Sequence, residues 1–94
     1  MCGIIGSVNI EWKSDPLDSI SHRGPDFRNE FSNEFIYLGH SRLSILDTSS
    51  LGNQPMISKD SNWVLIYNGE IYNHKDIRED LKKNFKETFI SESD

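Results

Sequence analysis

The feature that most constrains the fold is a short run of large apolar residues, WVLIY, in the second half of the chain. Its β-branched and aromatic composition predicts a β-strand. Side chains alternate between the two faces of a strand, and both faces are apolar here: Trp63, Leu65 and Tyr67 point one way, and Val64 and Ile66 the other. We expect such a strand to be covered on both sides, which indicates a layered fold.

Other parts of the chain also have the composition of strands. Small and β-branched residues with two glycines predict a strand over residues 2–10. Two apolar stretches, residues 35–38 and 43–46, flank the sequence GHSR, and they predict either two strands or one bulged strand with Arg42 at the join. Residues 13–30 are mostly polar and contain RGPD, so we expect a structured turn there, with little room for a helix.

One helix is predicted, over residues 73–85. Asn73 is a candidate N-cap, and the apolar residues recur at every fourth position. Residues 87–94 have the composition of a short strand. We expect the apolar residues of the helix and of the double-faced strand to lie in the core: Trp63, Tyr67, Ile77, Leu81 and Phe85. Several strands with one late helix indicate an α+β fold.

Length, charge and cysteine content exclude several classes of protein. Ninety-four residues make at most one small domain. The formal net charge of −5 argues against nucleic acid or a membrane surface as a partner. No apolar run is long enough to span a membrane, and no basic residue precedes the first apolar stretch, so we expect a cytoplasmic location. A single cysteine allows neither an internal disulfide nor a cysteine-rich zinc site, and we expect no metal site.

The single cysteine, Cys2, directly follows the initiator methionine. By default an unpaired cysteine is a small buried side chain. If Met1 is removed, which a small second residue favours, Cys2 gains a free α-amine beside its thiol. An amine with a pKa of about 7.7–8.0 can take the thiol proton and so activate a nucleophile. His22, His40 and His74 are other possible bases, but each lies in a local pattern that suggests a structural role.

An Asn-Gly pair follows the double-faced strand, in the sequence YNGE. A carboxamide next to a glycine N–H can donate two hydrogen bonds to the oxyanion of an acyl-transfer reaction. Asn68 and Gly69 are therefore candidate oxyanion donors. Asn-Gly is also a frequent hairpin turn, which leaves a structural role open.

Six segments occur in the same order as in a known family: MCGI, SHRGPD, GHSRLSILD, GNQPM, YNGEIYNH and FISESD. They resemble the start of the glutamine-hydrolysing asparagine synthetases, which are class II glutamine amidotransferases, over nearly the whole chain. The resemblance implies an N-terminal-nucleophile hydrolase fold, a four-layer αββα sandwich with two antiparallel sheets between helices. It implies that residues 1–94 are the N-terminal part of an incomplete type-2 glutamine amidotransferase domain. The helix that the family usually has between residues 10 and 21 is then either shortened or incomplete.

The resemblance also assigns roles to residues. Cys2 would be the nucleophile, and Asn68 and Gly69 the oxyanion donors. The guanidinium of Arg42 would bind the α-carboxylate of glutamine through a forked pair of hydrogen bonds, which lysine cannot reproduce. The residues implied to bind glutamine are Arg42, Leu43, Ser44, Ile45, Leu46, Asn68, Gly69, Glu70 and Asp94. A surface ion pair is the structural alternative for Arg42.

Two carboxylates complete the implied site. Glu70 and Asp94 would hold the α-ammonium group of glutamine. Considered alone, Glu70 would be a solvated strand residue and Asp94 a frayed chain end. We expect the SHRGPD segment to be scaffolding.

The implied reaction is hydrolysis of glutamine to glutamate and ammonia. In the family, the ammonia serves the conversion of aspartate to asparagine, which a C-terminal synthetase domain of the same chain carries out with ATP and Mg²⁺. We expect these ninety-four residues to hold no cofactor and to be inactive alone. A homodimer is left open. Two alternatives remain: an amidotransferase that supplies a different acceptor, a sugar or another carboxylate, and a non-catalytic remnant of the fold.

Overall fold

The computed structural model describes residues 2–44 and 49–89. Four residues to which the sequence assigns a part, Met1, Ile45, Leu46 and Asp94, lie outside the described residues, as does the end of the strand predicted over 87–94. The elements in chain order are β1 (Gly3–Val8), a 3-10 helix (Pro16–Arg23), β2 (Phe27–Ser32), β3 (Ile36–Arg42), a second 3-10 helix (Ser50–Gly52), β4 (Met56–Ile57), β5 (Val64–Leu65) and α1 (His74–Asn84).

A three-stranded antiparallel sheet with the strand order β1-β3-β2 is the largest unit. The central strand β3 pairs Ser41 with Gly3 of β1 and Arg42 with Phe27 of β2. Asn33 forms the turn between β2 and β3. Its side-chain oxygen accepts the N–H groups of Phe35 and Ile36, at 2.9 and 2.8 Å. The strand predicted at the start of the chain is confirmed as β1.

The outer strand β2 and the central strand β3 differ from the prediction. The GHSR sequence does not separate two strands, since it lies inside β3 and Arg42 is the last residue of that strand. Strand β2 begins inside the segment predicted to be a turn, and that prediction is wrong from residue 27 onward. Five of its six residues are exposed and only Phe31 is half-buried, so no apolar alternation marked it as a strand. It forms because the edge of β3 offers unpaired backbone groups.

A 3-10 helix occupies residues 16–23, where little room for a helix was expected. Asp15 caps it by accepting the N–H of Leu17 at 3.0 Å, and Pro16 starts it with a suitable φ angle. Leu17 is 3% exposed and packs beneath the sheet. The expectation of little room for a helix is therefore wrong for residues 16–23.

The core lies between this 3-10 helix and the sheet. Its buried hydrophobic residues are Leu17 and Tyr37. The Tyr37 hydroxyl donates a hydrogen bond of 2.6 Å to Glu30, and its ring lies 6.1 Å from that of Trp12. Burial, assisted by the Glu30 carboxylate, raises the pKa of Tyr37.

The double-faced strand is much shorter than predicted. Only Val64 and Leu65 form β5, which pairs with the two residues of β4. Trp63 is 76% exposed and Leu65 is 54% exposed, so the prediction that both faces are covered is wrong for the described residues. Val64 and Ile66, on the opposite face, are half-buried, so the exposed side chains are those of the Trp63 and Leu65 face.

The predicted helix is confirmed as α1, although its packing differs from the prediction. Asn73 occupies the N-cap position, but its side chain makes no capping hydrogen bond. The helix has no buried residue, and Ile77 and Phe85 are exposed, so the core role predicted for these two is wrong. Tyr67 and Leu81 are half-buried. Residues 87–89 do not form the predicted strand. With helix and antiparallel sheets together, the α+β class is confirmed.

Candidate active site

Cys2 lies half-buried immediately before β1, beside the end of β3. The register that pairs Gly3 with Ser41, continued by one residue, sets Cys2 opposite Arg42. The Cys2 sulfur contacts the backbone of Leu43, whose N–H donates to Sγ at 3.4 Å and whose carbonyl accepts from the thiol at 3.6 Å. The sheet therefore holds the predicted nucleophile against the segment predicted to bind glutamine.

Cys2 and Asn68 line the same cleft, which has a volume of about 310 Å³ and is called the Cys2 cleft below. The other lining residues are Gly3, Ile4, Ile20, His22 and Arg23. The volume lies at the lower end of the range of small-molecule sites. The structure thus brings the predicted nucleophile and one predicted oxyanion donor to a common surface, although they lie far apart in the sequence.

Gly69 and Glu70 follow Asn68 and are exposed, and neither lines the Cys2 cleft. A type I′ hairpin turn needs positive φ at both central residues, and Gly69 does not have a positive φ, so Asn68 and Gly69 do not form that turn. Gly69 lies close to the side chain of Tyr67. A Cβ atom there would lie 2.7 Å from the Tyr67 hydroxyl.

Arg42 and Ser44 line a second cleft, of about 420 Å³, called the Arg42 cleft below. Arg42 is only 5% exposed, so it is not the surface ion pair that the sequence alone left open. Its Nη1 donates to the Ser49 carbonyl and, at 2.7 Å, to Oδ1 of Asn53. Leu43 lies between the two clefts. Arg42 and Ser44, its neighbours in the sequence, line the Arg42 cleft, and its backbone N–H donates to the sulfur of Cys2 in the Cys2 cleft.

The SHRGPD segment holds the end of β3. A Cβ atom at Gly24 would lie 2.3 Å from the carbonyl carbon and oxygen of Ser41, so only glycine allows this approach of two backbones. The N–H of Asp26 donates to the Arg42 carbonyl at 3.0 Å, and its carboxylate accepts the N–H of Ser44 at 2.7 Å. The chain on both sides of Leu43 is therefore fixed from one loop.

The end of β3 is buried and polar, with His40 and Ser41 at 0% exposure. Neither imidazole nitrogen of His40, nor the Ser41 hydroxyl, has a hydrogen-bond partner among the described residues. Burial lowers the pKa of His40, the Arg42 guanidinium acts in the same direction, and the Tyr67 backbone opposes them. His40 is therefore held neutral near pH 7, beneath the segment that carries Asn68.

Sequence reasoning missed Arg23, Asp26 and Asn53 as residues of these clefts, and it named His22 only as a possible base. His22 and Arg23 line the Cys2 cleft, whereas Asp26 and Asn53 line the Arg42 cleft. The signal for them was present, because all four lie in segments that match the family order. What was missing was the three-dimensional position of those segments. Ile45, Leu46 and Asp94, also predicted to bind glutamine, lie outside the described residues.

The part of the chain that the structure describes contains neither a cluster of metal ligands nor a membrane-spanning helix. There, no group of three or more His, Cys, Asp or Glu side chains is arranged to hold a metal ion. No described helix combines the length and the apolar character needed to cross a bilayer.

The whole chain, residues 1–94, matches a family model described as a glutamine amidotransferase domain. The protein belongs to this family. The amidotransferase chain is also similar to curated glutamine-hydrolysing asparagine synthetases, which confirms the resemblance expected from the six ordered segments. One from Brassica oleracea is 46% identical over 92 residues, and one from Bacillus subtilis is 37% identical over 105 residues.

These relatives are much longer than the amidotransferase chain. The alignments cover 89% and 100% of this chain but only 16% of each relative. A protein named Amidase chyE, from Penicillium rubens, is 44% identical over 78 residues, which is 83% of this chain and 11% of that relative. Proteins with different names therefore share this segment.

Proposed function

We propose that this protein hydrolyses glutamine to glutamate and ammonia, with Cys2 as the nucleophile. The observation that carries the proposal is the shared cleft of Cys2 and Asn68. A thiol and a carboxamide that line one cleft are what an acyl-transfer reaction needs, namely a nucleophile and a donor for the oxyanion. Membership of the glutamine amidotransferase family supports glutamine as the substrate.

The reaction begins with removal of Met1, which gives Cys2 a free α-amine. That amine takes the thiol proton, and the sulfur adds to the δ-carbon of the glutamine side chain. The side-chain amide of Asn68 and the N–H of Gly69 donate to the oxyanion. The bond between the δ-carbon and the amide nitrogen then breaks. The α-ammonium group of Cys2 returns its proton to this nitrogen, and ammonia departs. Water hydrolyses the remaining thioester, which releases glutamate and restores the thiol.

Binding of glutamine uses the segment that starts at Arg42. The guanidinium binds the α-carboxylate, and Leu43 and Ser44 continue along the substrate, as do Ile45 and Leu46 of the same segment. Glu70 and Asp94 hold the α-ammonium group. Support comes from the contact of the Leu43 backbone with the Cys2 sulfur and from the bonds that fix both neighbours of Leu43.

The acceptor of the ammonia in this proposal is aspartate, which a synthetase domain of the same protein would convert to asparagine with ATP and Mg²⁺. The relatives named asparagine synthetase support asparagine as the product. Among the described residues, no group of three or more His, Cys, Asp or Glu side chains could hold Mg²⁺. The similarity to Amidase chyE supports a second candidate, in which another acceptor receives the ammonia. Assembly as a homodimer and a cytoplasmic location remain predictions.

The first experiment uses the protein expressed from its complete open reading frame. Mass spectrometry identifies the first residue, and an assay of glutamate release from glutamine compares the wild type with Cys2→Ala. We expect Met1 to be absent and Cys2→Ala to lose at least about a thousandfold in rate, since loss of a nucleophile removes the covalent route. Glutamate release that is unchanged in Cys2→Ala, or a retained Met1 in an active enzyme, would contradict the proposal.

The acceptor is tested separately. With glutamine and ATP present, aspartate is either converted to asparagine or left unchanged. Conversion supports the synthetase function, whereas glutamate release without any use of aspartate favours another acceptor. If no glutamate is released under any condition, the protein is a non-catalytic remnant of the fold.

A further inference from the structure

The turn formed by residues 52–55, GNQP, has no role in the reaction described above. It follows the second 3-10 helix and contains a cis peptide bond between Gln54 and Pro55. Two adjacent side chains of this GNQP turn point in different directions. One reaches the segment that carries Asn68, and the other reaches Arg42.

Gln54 holds the backbone immediately before Asn68. Its side-chain oxygen accepts the N–H of Tyr67. The β4–β5 register pairs Met56 with Leu65, and continuing it by two residues sets Gln54 opposite Tyr67. In a longer ladder, the Tyr67 N–H would pair with the backbone of the opposite strand. Here it pairs with the side chain of Gln54 instead. The contact therefore extends the short β4–β5 ladder toward the candidate oxyanion donor.

Among the described residues, the segment that carries Asn68 is held by this bond and by the contact of the Tyr67 backbone with His40. Strand β5 ends at Leu65, and residues 66–70 have no regular secondary structure. An amide N–H that loses its partner in a partly buried position destabilises the structure around it. A carboxamide that must meet an oxyanion within a few tenths of an ångström needs a fixed backbone behind it.

Asn53 makes the corresponding contact on the other side of the turn. Its Oδ1 accepts from Nη1 of Arg42 at 2.7 Å, and Asn53 itself lines the Arg42 cleft. Arg42 is also bonded to the Ser49 carbonyl, so Asn53 shares its role with a backbone group. The two neighbouring side chains thus act on different parts of the candidate site.

We infer that Gln54 is a positioning residue, which sets the Asn68 carboxamide through the Tyr67 N–H, and that Asn53 does the same for the Arg42 guanidinium. This inference rests on the proposed glutaminase function. Because oxyanion donors act on the transition state and a carboxylate-binding guanidinium acts already on bound substrate, the two residues affect different kinetic constants.

The test measures glutamate release by the complete protein and two variants, Gln54→Met and Asn53→Ala. Removing an oxyanion donor costs about a hundredfold to a thousandfold, so a displaced donor should cost Gln54→Met about tenfold or more in kcat, with KM for glutamine within about twofold of wild type. Asn53→Ala should show the reverse, with KM raised about fivefold and kcat nearly unchanged. A general loss of structure would not separate the constants in this way. Gln54→Met with wild-type kcat, or both variants with equal changes in kcat and KM, overturns the inference.

Two further measurements keep the result interpretable. Wild type and Cys2→Ala are assayed beside the variants, so a wild type without glutaminase activity refutes the proposed function, whereas an active wild type with a normal Gln54→Met refutes only the role of Gln54. If Gln54→Met does not fold, hydrogen exchange of the Tyr67 amide in the wild type decides. We expect the Tyr67 amide to be protected from exchange although Tyr67 lies outside the strands. Exchange as fast as in a free peptide would refute the hydrogen bond between the Tyr67 N–H and Gln54.

Discussion

The two described parts of the chain, residues 2–44 and 49–89, differ in how they are held together. In the first part, three strands and a 3-10 helix enclose a core, and all of the buried described residues except Gly52 lie there. In the second part, two strands of two residues and one helix leave large apolar side chains in contact with solvent, among them Trp63 and Tyr72 at 76% and 92% exposure.

The two halves of the candidate site, Cys2 with Arg42 and the segment of Asn68, depend on different kinds of interaction. Cys2 and Arg42 belong to a packed sheet whose hydrogen-bond ladder and core determine their positions. Asn68 belongs to a segment fixed by single side-chain contacts, such as that between Gln54 and Tyr67. Substitutions of packed residues in the first part should therefore act on stability, whereas substitutions at the contacts that fix Asn68 in the second part should act on catalysis with little loss of stability.

The largest effect on stability is expected from Gly24→Ala. The added methyl group would overlap the Ser41 carbonyl group at 2.3 Å, and both contacts are backbone, which cannot move aside as a side chain can. Overpacking of this kind typically costs about 1–3 kcal/mol, and we expect about 3 kcal/mol or more in the free energy of unfolding. The matched control is Gly6→Ala, whose Cβ would meet the end of the Leu38 side chain at 3.3 Å. Denaturant unfolding of both variants checks the difference, and equal losses would contradict the close approach of Gly24 to β3.

A second prediction compares one apolar residue from each part. Leu17→Ala should lower the free energy of unfolding by about 2–4 kcal/mol, because the side chain is 3% exposed and leaves a cavity. Trp63→Ala should cost less than about 1 kcal/mol, since the indole is 76% exposed. Thermal or denaturant unfolding measures both. A loss for Trp63→Ala as large as that for Leu17→Ala would show that the second part has a buried core of its own.

The same contrast explains which elements the sequence could predict. Strand β1 was predicted because its residues are small and β-branched, and helix α1 because its apolar residues recur at every fourth position. Strand β2 was missed because its residues are polar and exposed, and it forms only through pairing with β3. His40 and Ser41 were expected to interrupt a strand, yet they are fully buried within β3, since backbone pairing on both sides holds polar residues in place.

The candidate site could be predicted only in part for a related reason. Cys2 and Asn68 were candidates from their local sequence, and the order of motifs, which matches a family, added the role of Arg42. Nothing in the local sequence tells that Gln54 bonds to the Tyr67 amide, or that Asp26 bonds on both sides of Leu43. Such contacts depend on where separate loops meet, and a pattern of hydrophobicity does not carry that information.

A third prediction concerns the guanidinium of Arg42. Arg42→Lys keeps the charge but loses the fork that binds a carboxylate and also the Nη1 contact with Asn53. Hydrogen bonds to charged groups contribute about 1.5–3 kcal/mol, so we expect KM for glutamine to rise about tenfold or more with a smaller change in kcat. Arg28→Lys is the control, because Arg28 forms exposed ion pairs with Asp15 and Asp18, outside both clefts. If both lysine variants behave alike in steady-state assays, Arg42 does not bind the substrate.

The smallest effect is a dependence of stability on pH that originates at His40. Its folded-state pKa lies below the ordinary value of 6.5, so the unfolded chain takes up a proton at a higher pH than the folded one. Below about pH 6.5 the unfolded state binds more protons, and stability falls as pH decreases until the folded pKa is reached, by up to about 1.4 kcal/mol per pH unit. Above that range His40 is neutral in both states and contributes no pH dependence.

Unfolding of wild type, His40→Gln and His22→Gln at pH 7.5 and pH 5.5 tests this account. Both variants remove one imidazole, but His40 is fully buried whereas His22 is exposed. His40→Gln should therefore lose less stability between the two pH values than wild type does, and His22→Gln should match wild type. An unchanged pH dependence in His40→Gln would mean that the imidazole is solvated in solution and that the two parts of the chain are less different than their burial indicates.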